Sequence, residues 1–243
     1  FVKCYYFNYL LVKSLFSFSN LIYLQRKILH ETKVSGDHLT PELPLHLITT
    51  ECPLFHAPIV DASDSVFAED PFWGFYWPGG QALSRYILDN VGLVQNKSVL
   101  DVGSGCGASS LAAVKSGAKY VLANDIDEVA GVAVHLNADL NRVARGSVKI
   151  CAQNLIESVA DVAEDLILLG DLFYDEEFAE ILIPWLQRLR REGKTILVGD
   201  PGRHPLITQP RLALMEKIAT YALTENSCIE NNGFKFVNVW IFK

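Results

Sequence analysis

The sequence predicts a doubly wound α/β domain whose parallel sheet ends in an antiparallel edge. Three observations predict it. From residue 81 onward, short apolar runs alternate with stretches of helical spacing. A glycine-rich turn, Asp101-Val102-Gly103-Ser104-Gly105-Cys106-Gly107, joins one of these runs to the helix after it. The chain closes on a strand-like run, Phe234–Phe242, with no helix beyond it.

From Gln81, residues Ala82, Leu83, Tyr86, Ile87 and Val91 keep helical spacing, and Asp89-Asn90 offers a stop. Ser98–Val102 is a short buried strand running into the glycine turn. Ala108–Ser116 is a helix closed by Gly117. Tyr120–Asn124 is the next strand, ending at Asp125. Asp127–Arg142 is a helix with Val129, Val132, Ala133, Leu136 and Leu140 on one face. Val148–Cys151 is a third strand, and Asp165–Gly170 a fourth, ending at Asp171. Glu176–Arg191 is a helix built on Phe178, Ile181, Leu182, Trp185, Leu186 and Leu189, and Pro184 predicts a kink or a split in it. Thr195–Gly199 is a fifth strand. Arg211–Ala222 reads as a helix through Met215, Ile218, Ala219 and Ala222. Upstream, residues 31–71 look irregular around Pro41, Pro44, Pro53, Pro58 and Pro71, with Pro41–Leu47 as a short helix or turn. The expected organisation is a leader-like segment (1–38), an N-terminal extension with an aromatic loop (39–80), and the α/β domain (81–243).

Composition narrows the function classes. The 243 residues include 21 basic and 28 acidic side chains, a net charge of −7. Nucleic-acid backbones are bound by clustered Lys and Arg, so this balance argues against such a partner. Five scattered cysteines, without a C-x-x-C pair, and six histidines without ligand spacing argue against a structural metal. Residues 1–30 carry Lys3, Lys13, Arg26 and Lys27 but no acid, the profile of an organellar transit segment. Lys13, Ser14, Ser17, Ser19 and Asn20 interrupt the same stretch, which argues against stable membrane insertion.

The glycine turn points to a nucleotide-like cofactor. Two readings compete. Gly103-x-Gly105-x-x-Ala108, with Asp125 further on, satisfies a dinucleotide fingerprint. Against this, Asp101 stands two residues before Gly103, where it would repel a pyrophosphate but attract the cationic methionine part of S-adenosylmethionine. The D-x-G-x-G-x-G spacing and the antiparallel C-terminus agree with the second reading, which makes the chain a methyltransferase. Asp101, Gly103 and Gly105 then line the cofactor site. Asp125 accepts hydrogen bonds from the ribose hydroxyls, while Asp127 is better placed as a helix N-cap. Asn154 follows the third strand where adenine would lie, or is an ordinary loop residue. Cys106 reads as a small side chain facing the helix rather than a nucleophile, since no base is near it in sequence.

The acceptor side falls at Asp171-Leu172-Phe173-Tyr174, because ligands in such sheets bind beyond the carboxyl ends of the strands. Methyl transfer to an amine needs a neutral, desolvated, aligned nucleophile. A carboxylate at Asp171 would orient it, and the ring of Tyr174 would hold a cationic head. The segment Pro71-Phe72-Trp73-Gly74-Phe75-Tyr76-Trp77-Pro78-Gly79-Gly80-Gln81 is either a rigid ligand-facing loop, with Trp77 on the cofactor, or an aromatic plug over the sheet edge. Gly199–Arg203 borders the same cleft or lies on the surface. No N-P-P-Y string, used on planar amides and adenine amines, is present.

Together, Pro71–Asn90 (PFWGFYWPGGQALSRYILDN), Ser98–Gly107 (SVLDVGSGCG), Leu122–Asp127 (LANDID), Gly170–Glu176 (GDLFYDE) and Gly199–Arg203 (GDPGR) resemble the electron transfer flavoprotein beta-subunit lysine methyltransferases, a branch of the seven-β-strand protein-lysine methyltransferases. The resemblance runs from about Leu39 to the end and is weakest over residues 1–38 and 204–230. It implies a Rossmann-like seven-stranded methyltransferase sheet with an antiparallel C-terminal strand, S-adenosyl-L-methionine as cofactor, and lysines of the flavoprotein beta subunit as acceptor. It places catalytic roles on Asp171 and Tyr174, and the enzyme in the mitochondrial matrix, the cytoplasm being the alternative. Methylation of another protein or a small amine, and a non-catalytic cofactor-binding scaffold, are the competing readings.

Overall fold

The computed structural model describes residues 18–57, 67, 69–158 and 161–243. The leader-like reading of residues 1–38 therefore falls partly outside the described residues. Helix α1 (Phe18–Glu31) precedes a two-stranded antiparallel ribbon, β1 (Lys33–Ser35) and β2 (Leu45–Leu47). Of residues 41–47, expected to start a short helix or turn, 41–43 form the turn and Leu45–Leu47 the strand β2.

The main sheet has seven strands. Five of them, β3 (Ser98–Val102), β4 (Tyr120–Asn124), β5 (Val148–Cys151), β6 (Leu166–Gly170) and β7 (Thr195–Asp200), are parallel. The last two, β8 (Met215–Ala222) and β9 (Phe236–Phe242), form the antiparallel edge: β9 runs against β7, and β8 against β9. Across the sheet the order is β5-β4-β3-β6-β7-β9-β8. Every residue of β3 is buried, as expected of a central parallel strand covered on both faces. Helices α2 (Pro78–Asp89) and α3 (Ala108–Lys115) cover one face, where Leu83, Ile87 and Ala112 pack on Val99, Val121, Leu168 and Leu197. Helix α4 (Glu128–Leu140) packs by β5 and α1. Helix α5 (Glu176–Arg191) covers the other face through Leu182, Trp185, Leu186 and Leu189, which meet Leu100, Ile167, Leu169 and Ile196. Short helices α6 (His204–Ile207) and α7 (Glu225–Glu230) flank β8 in sequence.

Two expectations are corrected. Residues 211–222 do not form a helix: a 3-10 turn at Arg211–Leu214 leads into strand β8. The register slips between Lys217 and Ala219, a bulge that puts Ile218 out of step. Met215 consequently packs into the core on one face of the sheet, while Ala219 and Tyr221 pack on the other. That break in the two-residue alternation produced the false helical spacing. Pro184 does not split α5, which is continuous from Glu176 to Arg191. The proline faces solvent, where the carbonyl its ring displaces is free to turn to water.

Candidate active site

The carboxyl ends of β3, β4, β6 and β7 meet the N-terminus of α2 over one cleft. The glycine turn forms its floor. Gly103 and Gly105 have φ of 63° and 49°, a left-handed backbone that side chains resist, and a Cβ on Gly103 would lie 2.7 Å from Leu172. Asp125, at the end of β4, fixes the turn: Gly105 N–H donates to its Oδ2 at 2.9 Å, and Asp127 N–H to its Oδ1 at 3.1 Å. Asp127 caps α4 by accepting from Val129 N–H at 2.8 Å.

The cleft is open to solvent and is lined by Phe75, Tyr76, Trp77, Asp101, Gly103 and Gly105, among others. Asp101 is only 3% exposed, and its one side-chain partner is the Ser110 hydroxyl, which donates at 2.6 Å. Burial pushes its carboxyl up to about 7, with the Asp125 charge adding to the effect and Ser110 opposing it. A cation brought to this wall relieves that penalty; a pyrophosphate would worsen it. The donor set therefore fits S-adenosylmethionine, whose amino group and sulfonium are positive, and disfavours a dinucleotide. Cys106 is buried with its thiol pushed up to about 12 by desolvation, as an inert packing side chain should be.

The remaining sequence-derived residues are placed unequally. Trp77 lines the cleft, its indole N–H donating to the Phe72 carbonyl at 3.0 Å. Asn154 is exposed, and its side chain is spent on its own loop: Oδ1 accepts from Ile156 and Glu157 N–H, both at 3.2 Å, and Nδ2 donates to Glu157. Asp171 and Tyr174 differ in burial and in partners. Tyr174 is 60% exposed and stacks on Phe178 with ring centroids 5.4 Å apart.

Asp171, by contrast, is 6% exposed and adopts a left-handed backbone with φ of 57°. Its Oδ1 accepts from Arg203 Nε at 3.0 Å and Nη2 at 2.9 Å, and its Oδ2 accepts from Gly79 N–H in the first turn of α2. Burial raises its pKa while Arg203 and the Gly79 and Gly80 amides pull it down. The first turn of α2 reaches the acid because glycine meets glycine: a Cβ on Gly79 would strike the Gly199 carbonyl, and one on Gly199 the Gly79 carbonyl. A carboxylate at a helix N-terminus is a favourable pairing. The acid expected to orient the amine thus holds Arg203 and the first turn of α2. Sequence reading missed this clamp, since its partners stand 92 and 32 residues from Asp171. GDPGR was the one available signal.

These features define an S-adenosylmethionine-dependent methyltransferase. Residues 81–197 match the ribosomal protein L11 methyltransferase (PrmA) family model. The chain is 43% identical over 217 residues to the electron transfer flavoprotein beta subunit lysine methyltransferase of Xenopus laevis, covering 89% of this chain and 85% of that one. It is 44% identical over 210 residues to the human protein of the same name, covering 86% and 78%. Among solved structures, the ribosomal protein L11 methylase of Lactobacillus delbrueckii subsp. bulgaricus aligns with TM-score 0.48 at 26% identity, over 66% of this chain and 76% of that one. The chain belongs to the electron transfer flavoprotein beta subunit lysine methyltransferase family.

Proposed function

We propose that this protein-lysine N-methyltransferase acts on lysines of the electron transfer flavoprotein beta subunit, in the mitochondrial matrix. The relatives' names support the acceptor, and the acid-free, basic stretch of residues 1–30 supports the compartment. The single observation that carries the chemistry is the cleft that joins the buried acid Asp101 and the glycine turn to the aromatic wall at Trp77.

S-adenosylmethionine, when bound, supplies an electrophilic methyl group. The chain's own residues do the rest. Asp101 and the turn at Gly103 and Gly105 would hold the cofactor's cationic end, and Asp125, which fixes the turn, would accept from the ribose hydroxyls. Trp77 and Phe75 close the cleft against water, which keeps the acceptor amine desolvated. Asp171 holds the first turn of α2 and Arg203 in place, so that the lysine enters along a fixed path. Tyr174, exposed at the end of β6, offers its ring to the lysine stem and head.

Labelled cofactor added with the enzyme to matrix and cytosolic extracts, followed by peptide mapping, tests the assignment. Label on beta-subunit lysines in the matrix fraction is expected. Label confined to other proteins or to small amines would redirect it.

A further inference from the structure

Asp200, the last residue of β7, is not among the residues that line the cleft, and it is 0% exposed. Its Oδ1 accepts two backbone hydrogen bonds, from Gly202 N–H at 2.6 Å and Arg203 N–H at 2.7 Å. Its Oδ2 has no hydrogen-bond partner among the described residues. Burying a carboxylate is expensive unless hydrogen bonds, a charge partner or protonation offset the lost hydration. Burial and the neighbouring Asp171 charge push its carboxyl up to about 7.

The two backbone bonds close the turn Pro201-Gly202-Arg203, in which Gly202 has φ of 99°. The turn delivers the Arg203 guanidinium to Asp171. The same guanidinium lies 5.9 Å from the centroid of Trp77 and 5.6 Å from that of Phe234, within cation–π range of both. Arg203 therefore links three things: the acid that holds α2, the aromatic wall of the cofactor cleft, and the loop before β9. Asp200 acts on all three at one remove, by holding the backbone from which Arg203 reaches them.

We propose that Asp200 is a positioning residue for methyl transfer, acting through Arg203 to fix Asp171 on the acceptor side of the cleft. The proposal rests on the reading of Asp171 as part of that side. In Asp200→Ala the turn loses both of its backbone acceptor bonds. Turnover with the flavoprotein beta subunit then falls about 10- to 100-fold, the effect of misplacing a reacting group by an ångström, while cofactor Kd stays within about threefold. Asp200→Asn keeps the Oδ1 acceptor and recovers most of the turnover. Arg203→Gln shows the same split, and serves if Asp200→Ala fails to fold. Because the two residues act as one unit, the Asp200→Ala/Arg203→Gln double variant is no slower than the slower single variant.

Hydrogen exchange supplies a readout that needs no acceptor. Loss of Asp200 or of Arg203 should speed exchange in the first turn of α2, where Gly79 N–H binds Asp171. The proposal is overturned if Asp200→Ala turns over as wild type, if the two single losses multiply, or if exchange at the first turn of α2 is unchanged. An Asp171→Asn control separates the two levels. Full activity there refutes the reading of Asp171 itself. An inactive Asp171→Asn beside a fully active Asp200→Ala refutes only the role given to Asp200.

Discussion

The glycine-turn half of the site and the half around Asp171, proposed above as the acceptor side, are built in different ways. The cofactor half is local. Asp101, Gly103 and Gly105 lie on one strand and its turn, and Asp125, which ties the turn down, stands only 20 residues after Gly105. Its work is done by backbone geometry and one buried acid. The acceptor half is assembled from the start of α2, the ends of β6 and β7, and the loop before β9. Its contacts are side-chain bonds between distant segments, such as Gly79 to Asp171 and Arg203 to Asp171. A backbone-built site tolerates changes in surrounding side chains, whereas a side-chain clamp fails when one member is lost. The two halves should therefore be separable by substitution.

The largest effect is expected at Asp171. Asp171→Ala leaves Arg203 without its ion pair and frees the first turn of α2. Methyl transfer should be abolished, a loss of at least about 100-fold, with cofactor affinity changed by less than about fivefold. Parallel titration calorimetry and turnover assays check this, and an equal loss of both would merge the two halves. Next comes Gly105→Val. A β-branched residue at φ of 49° costs about 1–3 kcal/mol of backbone strain, so cofactor Kd should rise at least about tenfold. A Kd unchanged in Gly105→Val would break the claim that backbone shape makes that half.

How far the sequence foretold these halves obeys the same division. Strands β3 and β4 were readable to the residue, because buried parallel strands appear as apolar runs cut off by glycine or aspartate. The glycine turn was readable because its spacing is local. Strand β8 was not, since the bulge at Ile218 swaps the buried face and imitates helical spacing. Asp171 was found as a residue but not as a clamp. Nothing near it in sequence says that Arg203 and Gly79 will reach its two oxygens. The start of α2 was also hidden: Pro78-Gly79-Gly80 looks like loop composition, yet these residues form its first turn, where glycines permit contact with β7.

A smaller effect concerns pH. The Asp101 carboxyl of the cofactor-free protein is pushed up to about 7, above its unfolded value. A cation binds the ionised form, so cofactor affinity should strengthen as pH rises from about 6 to about 8, and Asp101→Asn should remove that trend. The stability linkage has the opposite sign. A carboxyl with a raised folded pKa stabilises the fold below its unfolded pKa, and that contribution is lost as pH rises through about 7. Melting curves of the cofactor-free protein should show Asp101→Asn gaining on the wild type as pH rises from about 4 to about 7, and levelling off above that. The smallest effect belongs to Asn154→Ala. It removes only a loop's internal bonds, so cofactor affinity should stay within about twofold, a cost of a few tenths of a kcal/mol. A tenfold loss would restore Asn154 to the adenine site.

The most direct test is mass spectrometry of purified flavoprotein beta subunit after incubation with enzyme and S-adenosylmethionine, with the modified residues located by fragmentation. The expected result is one or more methyl groups confined to lysine side chains, absent when Asp171→Ala replaces the wild type. A beta subunit that stays unmodified while the wild-type enzyme binds the cofactor, or that carries methyl groups on residues other than lysine, would contradict it.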